Sequence, residues 1–188
     1  MASVNCAVTA CGSEAGVSIQ WRASMSVDTG MIDEDHKCLI ALINAIDLVG
    51  PGPRMREDMD RILAQLSAYA DLHFQREERL QVHSAFTYAR AHHQRHRALL
   101  RDLNAMIGEC KTTAGDDLPG YRARLSEFLF HWLRDHIVKA DLLMKPFVLE
   151  MQRHAEKAVP LVEAMRGDPR QDLAAWQLPG EWQLAAKR

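Results

Sequence analysis

LHFQREERLQVHSAFTYARAHHQRH, residues 72–96, carries two pairs of metal-binding side chains. His73 is followed four residues later by Glu77, and His92 is followed four residues later by His96. Because an α-helix has about 3.6 residues per turn, the two members of each pair lie on one helix face, one turn apart. Each pair can therefore reach a single interior point from its own helix.

Two histidines outside this stretch, His36 and His136, are expected at the same level of the fold as those inside it. The chain has turn signals at 50–53 and at 112–120, both rich in Gly and Pro. His36 precedes the first turn and His136 follows the second, and all these histidines stand roughly 20 to 30 Å from the turn that joins their helices, at about 1.5 Å rise per residue. Equal distance from the turn means equal height in an antiparallel hairpin. The spacing predicts that the histidines converge on one layer of a helical bundle.

The number of donors predicts two metal ions. A mononuclear site takes at most three or four side chains, whereas imidazoles and carboxylates in this number suit a pair of ions, and without thiolate they favour iron or manganese over structural zinc. The predicted ligands are His36, His73, Glu77, His92, His96, His136 and Asp141. His136 and Asp141 are five residues apart, which a straight helix does not explain. We expect either a local π-bulge or a carboxylate that reaches sideways between the ions.

Helical periodicity predicts an all-α fold. Asp33 can cap a first helix that ends by Val49, and apolar residues then recur at helical spacing over about 55–83, 88–111 and 119–145. Four helices with short loops predict an up-down-up-down four-helix bundle whose core can hold a metal site. No alternation typical of strands competes with this interpretation.

The two ends of the chain are expected to lie outside the bundle. We assign 1–20 to a mobile N-terminal arm, 21–147 to the bundle and 148–188 to a C-terminal extension. Apolar residues recur at helical spacing over 147–166, which predicts a short further helix. The tail that follows carries Trp176 and Trp182, which are expected either to fold back on the bundle or to dock on a protein partner or a second subunit.

Composition limits the classes of function. The chain has 188 residues, 47% hydrophobic and 26% charged, with 23 basic and 25 acidic side chains. This is typical of one soluble globular domain, and we expect no nucleic-acid partner and no membrane partner. Residues 1–20 make a poor signal peptide, which predicts a cytoplasmic protein. The four cysteines are therefore expected to be reduced; they are Cys6, Cys11, Cys38 and Cys110. Cys38 is expected to have a packing role.

Four segments resemble the hemerythrins, and specifically the bacteriohemerythrins. They read IDEDH, LHFQREERL, HHQRH and FLFHWLRDHIVKAD, and the resemblance covers Trp21 to Phe147 with all seven predicted ligands at the family spacing. Myohemerythrin, a member of this family, is itself a standard example of the four-helix bundle, so the bundle and the family are not independent predictions.

The resemblance implies a ligand assignment. His92, His96 and His136 would bind one iron and His36 and His73 the other, with Glu77, Asp141 and an oxo or hydroxo group bridging both. One coordination position then stays open on the His36/His73 iron. As in the family, the implied activity is reversible binding of dioxygen, for storage or delivery (oxygen transport), by a protein that is not an enzyme.

The sequence departs from the family pattern at positions that are not ligands. These are Asp35, Gln81, Phe86-Thr87, Leu99 and Met144. Asp35 stands where a glutamine is usual and should point about 100° away from His36 on a helix, so we expect a surface residue with little influence. The remaining histidines, His83, His93, His131 and His154, are likewise expected to be surface or core residues without a metal.

Other functions stay open. An O2 or redox sensor could act through the C-terminal tail on a partner. An enzyme could reduce peroxide or nitric oxide, or the protein could handle iron. Against a di-iron oxygenase, five imidazoles and two carboxylates make a less anionic centre, and the ferritin-like Glu-x-x-His signature is absent. Apolar neighbours such as Leu39, Ile40, Phe74, Trp132 and Ile137 are expected to be core residues, some of which could shield the ligand site.

Overall fold

Four long helices and one short helix make up the computed structural model, which describes residues 18–154. The helices are α1 (Met31–Asp47), α2 (Met55–His83), α3 (Ala89–Thr112), α4 (Leu118–Lys139) and α5 (Lys145–Arg153), with 3-10 turns at Ala23–Met25, Gly115–Asp117 and Asp141–Met144. No strand occurs in this part of the chain. Cys6, Cys11, most of the predicted 147–166 helix and the tryptophan tail lie outside it.

The four long helices pack in a ring, each against its neighbours in sequence and α4 against α1. Polar contacts show that neighbouring helices run in opposite directions. Arg56, near the start of α2, donates to the backbone carbonyl of Cys110 near the end of α3. Arg122, near the start of α4, donates to the carbonyl of Asp47 at the end of α1. The all-α four-helix bundle and a helical extension after it are therefore confirmed, with α5 as the start of that extension.

The first helix begins three residues earlier than predicted, at Met31. Asp33 lies inside α1 instead of capping it, and its carboxylate accepts the backbone N–H groups of Val27 (2.7 Å) and Thr29 (3.1 Å) in the preceding loop. Asp28 takes the capping role, because its carboxylate accepts the N–H groups of Ile32 (3.1 Å) and Asp33 (3.2 Å). These are donors that have no partner within the helix.

The fourth helix ends earlier than predicted, at Lys139 and not near 145. Ala140 leaves helical geometry, with φ −122° and ψ −56°, and a 3-10 turn over Asp141–Met144 leads into α5. Pro146 lies in the first turn of α5, a position where its missing N–H costs nothing. Inside a continuous α4 the proline ring would instead clash with the carbonyl of Leu142, four residues earlier.

The segment before α1 packs on the bundle from Ile19 onward. Ile19 is buried, its N–H donates to the side-chain oxygen of Asn44 (2.9 Å), and its carbonyl accepts from the side-chain nitrogen of Asn44 (2.8 Å). Ile19 thus belongs with α1, although it falls in the segment assigned to the arm. Of the two described cysteines, neither forms a disulfide, and Cys110 is buried in the core.

Within residues 18–154, none of the helices combines the length and the apolar character needed to cross a membrane.

Candidate metal centre

All seven predicted ligands lie together in the interior of the bundle. α1 supplies His36, α2 supplies His73 and Glu77, α3 supplies His92 and His96, α4 supplies His136, and the 3-10 turn supplies Asp141. They form two groups in which the donor atoms lie within 4.8 Å of one another. One group contains three histidines and the other two, and both contain Glu77 and Asp141. This is the division that the sequence resemblance implied.

Asp141 lies between the two groups. Its Oδ2 is 3.3 Å from Nε2 of His36, and its Oδ1 is 3.0 Å from Nε2 of His92 and 3.1 Å from Nε2 of His136. The π-bulge that we considered is wrong, since α4 ends before Asp141 and the 3-10 turn displaces it sideways. Of the second alternative, the structure shows that Asp141 extends sideways and lies within reach of histidines of both groups.

Unpartnered polar atoms show that the cluster suits a cation. Both carboxylate oxygens of Glu77 and of Asp141 are buried and make no hydrogen bond, and neither does Nε2 of His73. Nε2 of His96 approaches Glu77 Oε2 to 3.0 Å but without hydrogen-bond alignment. Buried polar atoms normally have partners, because leaving them without one costs free energy. Converging imidazole nitrogens and carboxylate oxygens are donors that iron accepts.

Burial sets the protonation of these groups. It lowers the pKa of His73 to about 4 and the pKa of His136 well below its ordinary value, so both imidazoles stay neutral and keep a lone pair for a metal. Burial, together with the charge of Asp141, raises the pKa of Glu77 well above its usual range. Burial opposes ionisation of Asp141 too, but His136 and its other histidine neighbours outweigh it and lower the pKa of Asp141.

Asp35 is not the surface residue that we expected. It is only 1% exposed, and its carboxylate accepts hydrogen bonds from Tyr69 Oη (2.8 Å) and from Nε (2.7 Å) and Nη2 (2.8 Å) of Arg76. Its Oδ2 also lies 3.4 Å from Nδ1 of His73. The rotation of about 100° from His36 turns this side chain toward α2 and not toward solvent. The expectation failed because helix periodicity gives a direction but not what lies there.

Glu78 makes the equivalent contact in the other group. Its Oε1 lies 2.8 Å from Nδ1 of His96 and 2.7 Å from Nδ1 of the half-buried His93. Sequence reasoning missed Glu78, Tyr69 and Arg76. Tyr69 lies four residues before His73 and Arg76 three residues after it, which places both on the helix face of that ligand. Glu78 directly follows Glu77. These spacings could have indicated that the three residues lie near the site. The other three histidines without a predicted metal role are exposed; they are His83, His131 and His154.

Aromatic side chains enclose the histidine-rich group. Phe74 stacks on His96, with ring centroids 4.0 Å apart and planes 10° apart, and meets His136 edge-on at 5.4 Å. The indole of Trp132 donates to the carbonyl of Leu99 (3.0 Å), so its polar atom is satisfied and its ring is free to pack. The other named apolar neighbours are also buried; they are Leu39, Ile40 and Ile137.

A second apolar cluster, which includes Phe86 and Met144, packs beside His92. Phe86 lies edge-on to His92, with centroids 5.9 Å apart. Two of the unusual residues pair here, since the side-chain nitrogen of Gln81 lies 3.2 Å from the sulfur of Met144 and both are buried. The departures from the family pattern therefore change what packs around the donors and leave the donors themselves in place.

Residues 27–148 match the model of the hemerythrin HHE cation-binding domain. The chain belongs to the hemerythrin family. Hemerythrin-like proteins of Naegleria gruberi and Naegleria fowleri are each 28% identical to it over 125 residues, which is 66% of this chain and 89% of each relative. The buried cluster lies within the matched residues. The matched residues thus form a hemerythrin-type metal-binding domain, and the donor chemistry of the cluster indicates iron.

Proposed function

We propose that this hemerythrin-family domain holds two iron ions and binds dioxygen reversibly, for storage or delivery of O2. The observation that carries the proposal is the unequal division of the donors. Three histidines belong to one group and two to the other, while Glu77 and Asp141 belong to both. Two ions that share the carboxylates would therefore differ by one imidazole, and the ion with fewer protein donors has room for an external ligand.

A pair of ferrous ions can supply the two electrons that reversible attachment of dioxygen requires. The protein's task is to keep this exchange free of protons and of water. His36 and His73, the histidines of the smaller group, are both completely buried. On α1, Leu39 and Ile40 follow His36 by three and four residues, so these buried apolar side chains share its helix face and offer no proton donor there. Such surroundings favour return of the ligand over its reduction.

The charge of the centre supports binding over oxidation chemistry. Imidazoles bind metals in their neutral form, so five histidines and two carboxylates would give the bound donor set a formal charge of −2, which is small for two ions. Fewer anionic ligands stabilise high oxidation states of iron less well. A carrier needs ions that change oxidation state readily in both directions, so the imidazole-rich set fits a carrier better than an oxygenase.

The test is the visible spectrum of protein loaded anaerobically with ferrous iron, first on admission of O2 and then on its removal. We expect two irons per chain and an absorption band that appears with O2 and disappears when O2 is withdrawn, over repeated cycles. One iron per chain would overturn the two-ion assignment. A band that decays to a stable ferric spectrum with release of peroxide, or rapid consumption of added peroxide, would overturn the carrier and point to an enzyme.

A further inference from the structure

The buried carboxylate of Asp35 contacts one predicted ligand and no other. Its Oδ2 lies 3.4 Å from Nδ1 of His73, the ring nitrogen on the side opposite the cluster. Nε2 of the same ring has no hydrogen-bond partner and belongs with the donors of the two-histidine group. A carboxylate on Nδ1 keeps the proton there, which leaves the lone pair on Nε2 for a metal.

Two side chains of α2 hold Asp35 in place. Arg76 binds both carboxylate oxygens, through Nε at 2.7 Å and Nη2 at 2.8 Å, and Tyr69 donates to Oδ1 at 2.8 Å. A two-point contact between a guanidinium and a carboxylate fixes orientation as well as distance. Tyr69, His73 and Arg76 lie four and three residues apart, so they share the face of α2 that meets α1.

The charges in this contact nearly cancel. The negative charge of Asp35 is matched by Arg76, which is itself only 7% exposed. Together they add no net charge near the metal centre. The contact can therefore orient His73 without making the ligand set more anionic, which distinguishes it from a carboxylate bound directly to the metal.

We propose that Asp35 is a positioning residue: it fixes the ring and the tautomer of His73, and Arg76 and Tyr69 hold Asp35 for that purpose. The inference rests on the proposed iron site, but not on O2 binding. It makes the two ions differ in a second way. The two-histidine group is oriented through a fully buried carboxylate, whereas the three-histidine group is oriented through Glu78, which contacts His96 at 2.8 Å and is 28% exposed.

The alternative is that the Asp35–Arg76 pair only joins α1 to α2. Asp35→Asn tests this, and Glu78→Gln is the matched control, because each removes the charge of a carboxylate beside one ligand histidine. Asp35→Asn leaves a buried guanidinium without its carboxylate, which destabilises the fold by itself. The double variant Asp35→Ala/Arg76→Gln removes both charges together with the acceptor that faces Nδ1 of His73, and so separates the two effects.

The first measurement is the tautomer of His73 in metal-free protein, by long-range proton–nitrogen NMR of the imidazole rings. We expect the Nδ1-protonated form in the wild type and in Glu78→Gln, and a mixture of tautomers in the double variant. The Nε2-protonated form in the wild type would overturn the proposal. So would an unchanged Nδ1-protonated ring in the double variant.

The second measurement is iron retention against a competing chelator of known affinity. Loss of a carboxylate behind a ligand histidine typically weakens metal binding by about 10 to 100-fold. We expect a loss of this size, confined to one iron per chain, in both Asp35→Asn and the double variant. Wild-type retention in the double variant would show a purely structural pair. If the wild type retains two irons but binds no O2, the proposed function fails and this inference stands on the tautomer and the retention data.

Discussion

Replacement of Glu77 by glutamine should change the stability of the metal-free and the iron-loaded protein in opposite directions. Glu77 and Asp141 are both 0% exposed, and their oxygens have no hydrogen-bond partner. Without a cation, two buried carboxylates face each other across the centre. Replacing buried ionised groups by uncharged residues of similar volume is in many cases neutral or stabilising, by up to about 1 to 4 kcal/mol when the new residues pack well. We expect about 2 kcal/mol for Glu77→Gln in metal-free protein.

The pH dependence follows from the direction of the pKa shift. Burial and the nearby Asp141 raise the pKa of Glu77. The folded protein therefore holds this proton more tightly than the unfolded chain does. The stability associated with the protonated form is complete below the ordinary glutamate pKa and is lost as the pH rises through the raised pKa. Wild type and Glu77→Gln should therefore be similarly stable in acid, and the variant should gain an advantage toward pH 8.

Thermal unfolding of metal-free protein across that pH range is the assay. For a domain of this size about 2 kcal/mol corresponds to a rise of roughly 4 to 8 °C in Tm. After iron loading the order should reverse, since the amide replaces a carboxylate that belongs to both donor groups, and the variant should retain less iron than the wild type. A metal-free variant that is less stable than the wild type at pH 8 would refute the reasoning.

Two further predictions concern single side chains. His36→Ala removes a donor that belongs only to the two-histidine group, so the variant should keep iron in the other group and lose the O2-dependent absorption band. Iron content and the absorption band are measured on the same sample. Normal O2 binding would contradict the proposed position of the external ligand. Phe74→Ala removes a buried ring that stacks on His96 and should destabilise metal-free protein by about 3 to 5 kcal/mol in denaturant unfolding, whereas Phe74→Leu should cost clearly less because it keeps much of the buried apolar volume. Equal losses would contradict this volume argument and assign the effect to the stacked ring.

The long helices could be predicted from the sequence because each has a strong apolar periodicity and a turn at its end. The predicted second helix, 55–83, agrees with α2 at both ends. The clustering of all seven donors was also predictable, because helix spacing and distance from the turns are geometric quantities. Both arguments use only the regular part of the chain.

The errors fall where side chains decide the backbone. Asp33 has the residue type of a helix cap, but the loop before it turns at Thr29, whose φ is +56°, and this brings Asp28 to the helix end instead. A proline seven residues beyond Lys139, the last residue of α4, prevents α4 from continuing into α5. Neither effect has a periodic signal, so each needs the three-dimensional path of the chain.

Asp35 shows the same limit at the site itself. Its residue type indicates a surface position, since isolated carboxylates are seldom buried. Burial is tolerated here only because Arg76, distant in sequence, supplies the opposite charge. A pairing between two helices cannot be read from either helix alone.

The donors come from all four long helices and from the turn after α4. Metal ions bound to them would therefore crosslink segments that are far apart in the sequence. An ion held by His36 and Asp141 would connect the first helix with the turn that follows α4, and one held by His92 and Asp141 would close a loop of the chain that contains all of α4. Closing large loops in this way restricts the unfolded chain much as a disulfide does. Bound iron would thus crosslink the chain reversibly. Loading the protein with iron should therefore slow its digestion by proteases, in addition to providing the site for O2.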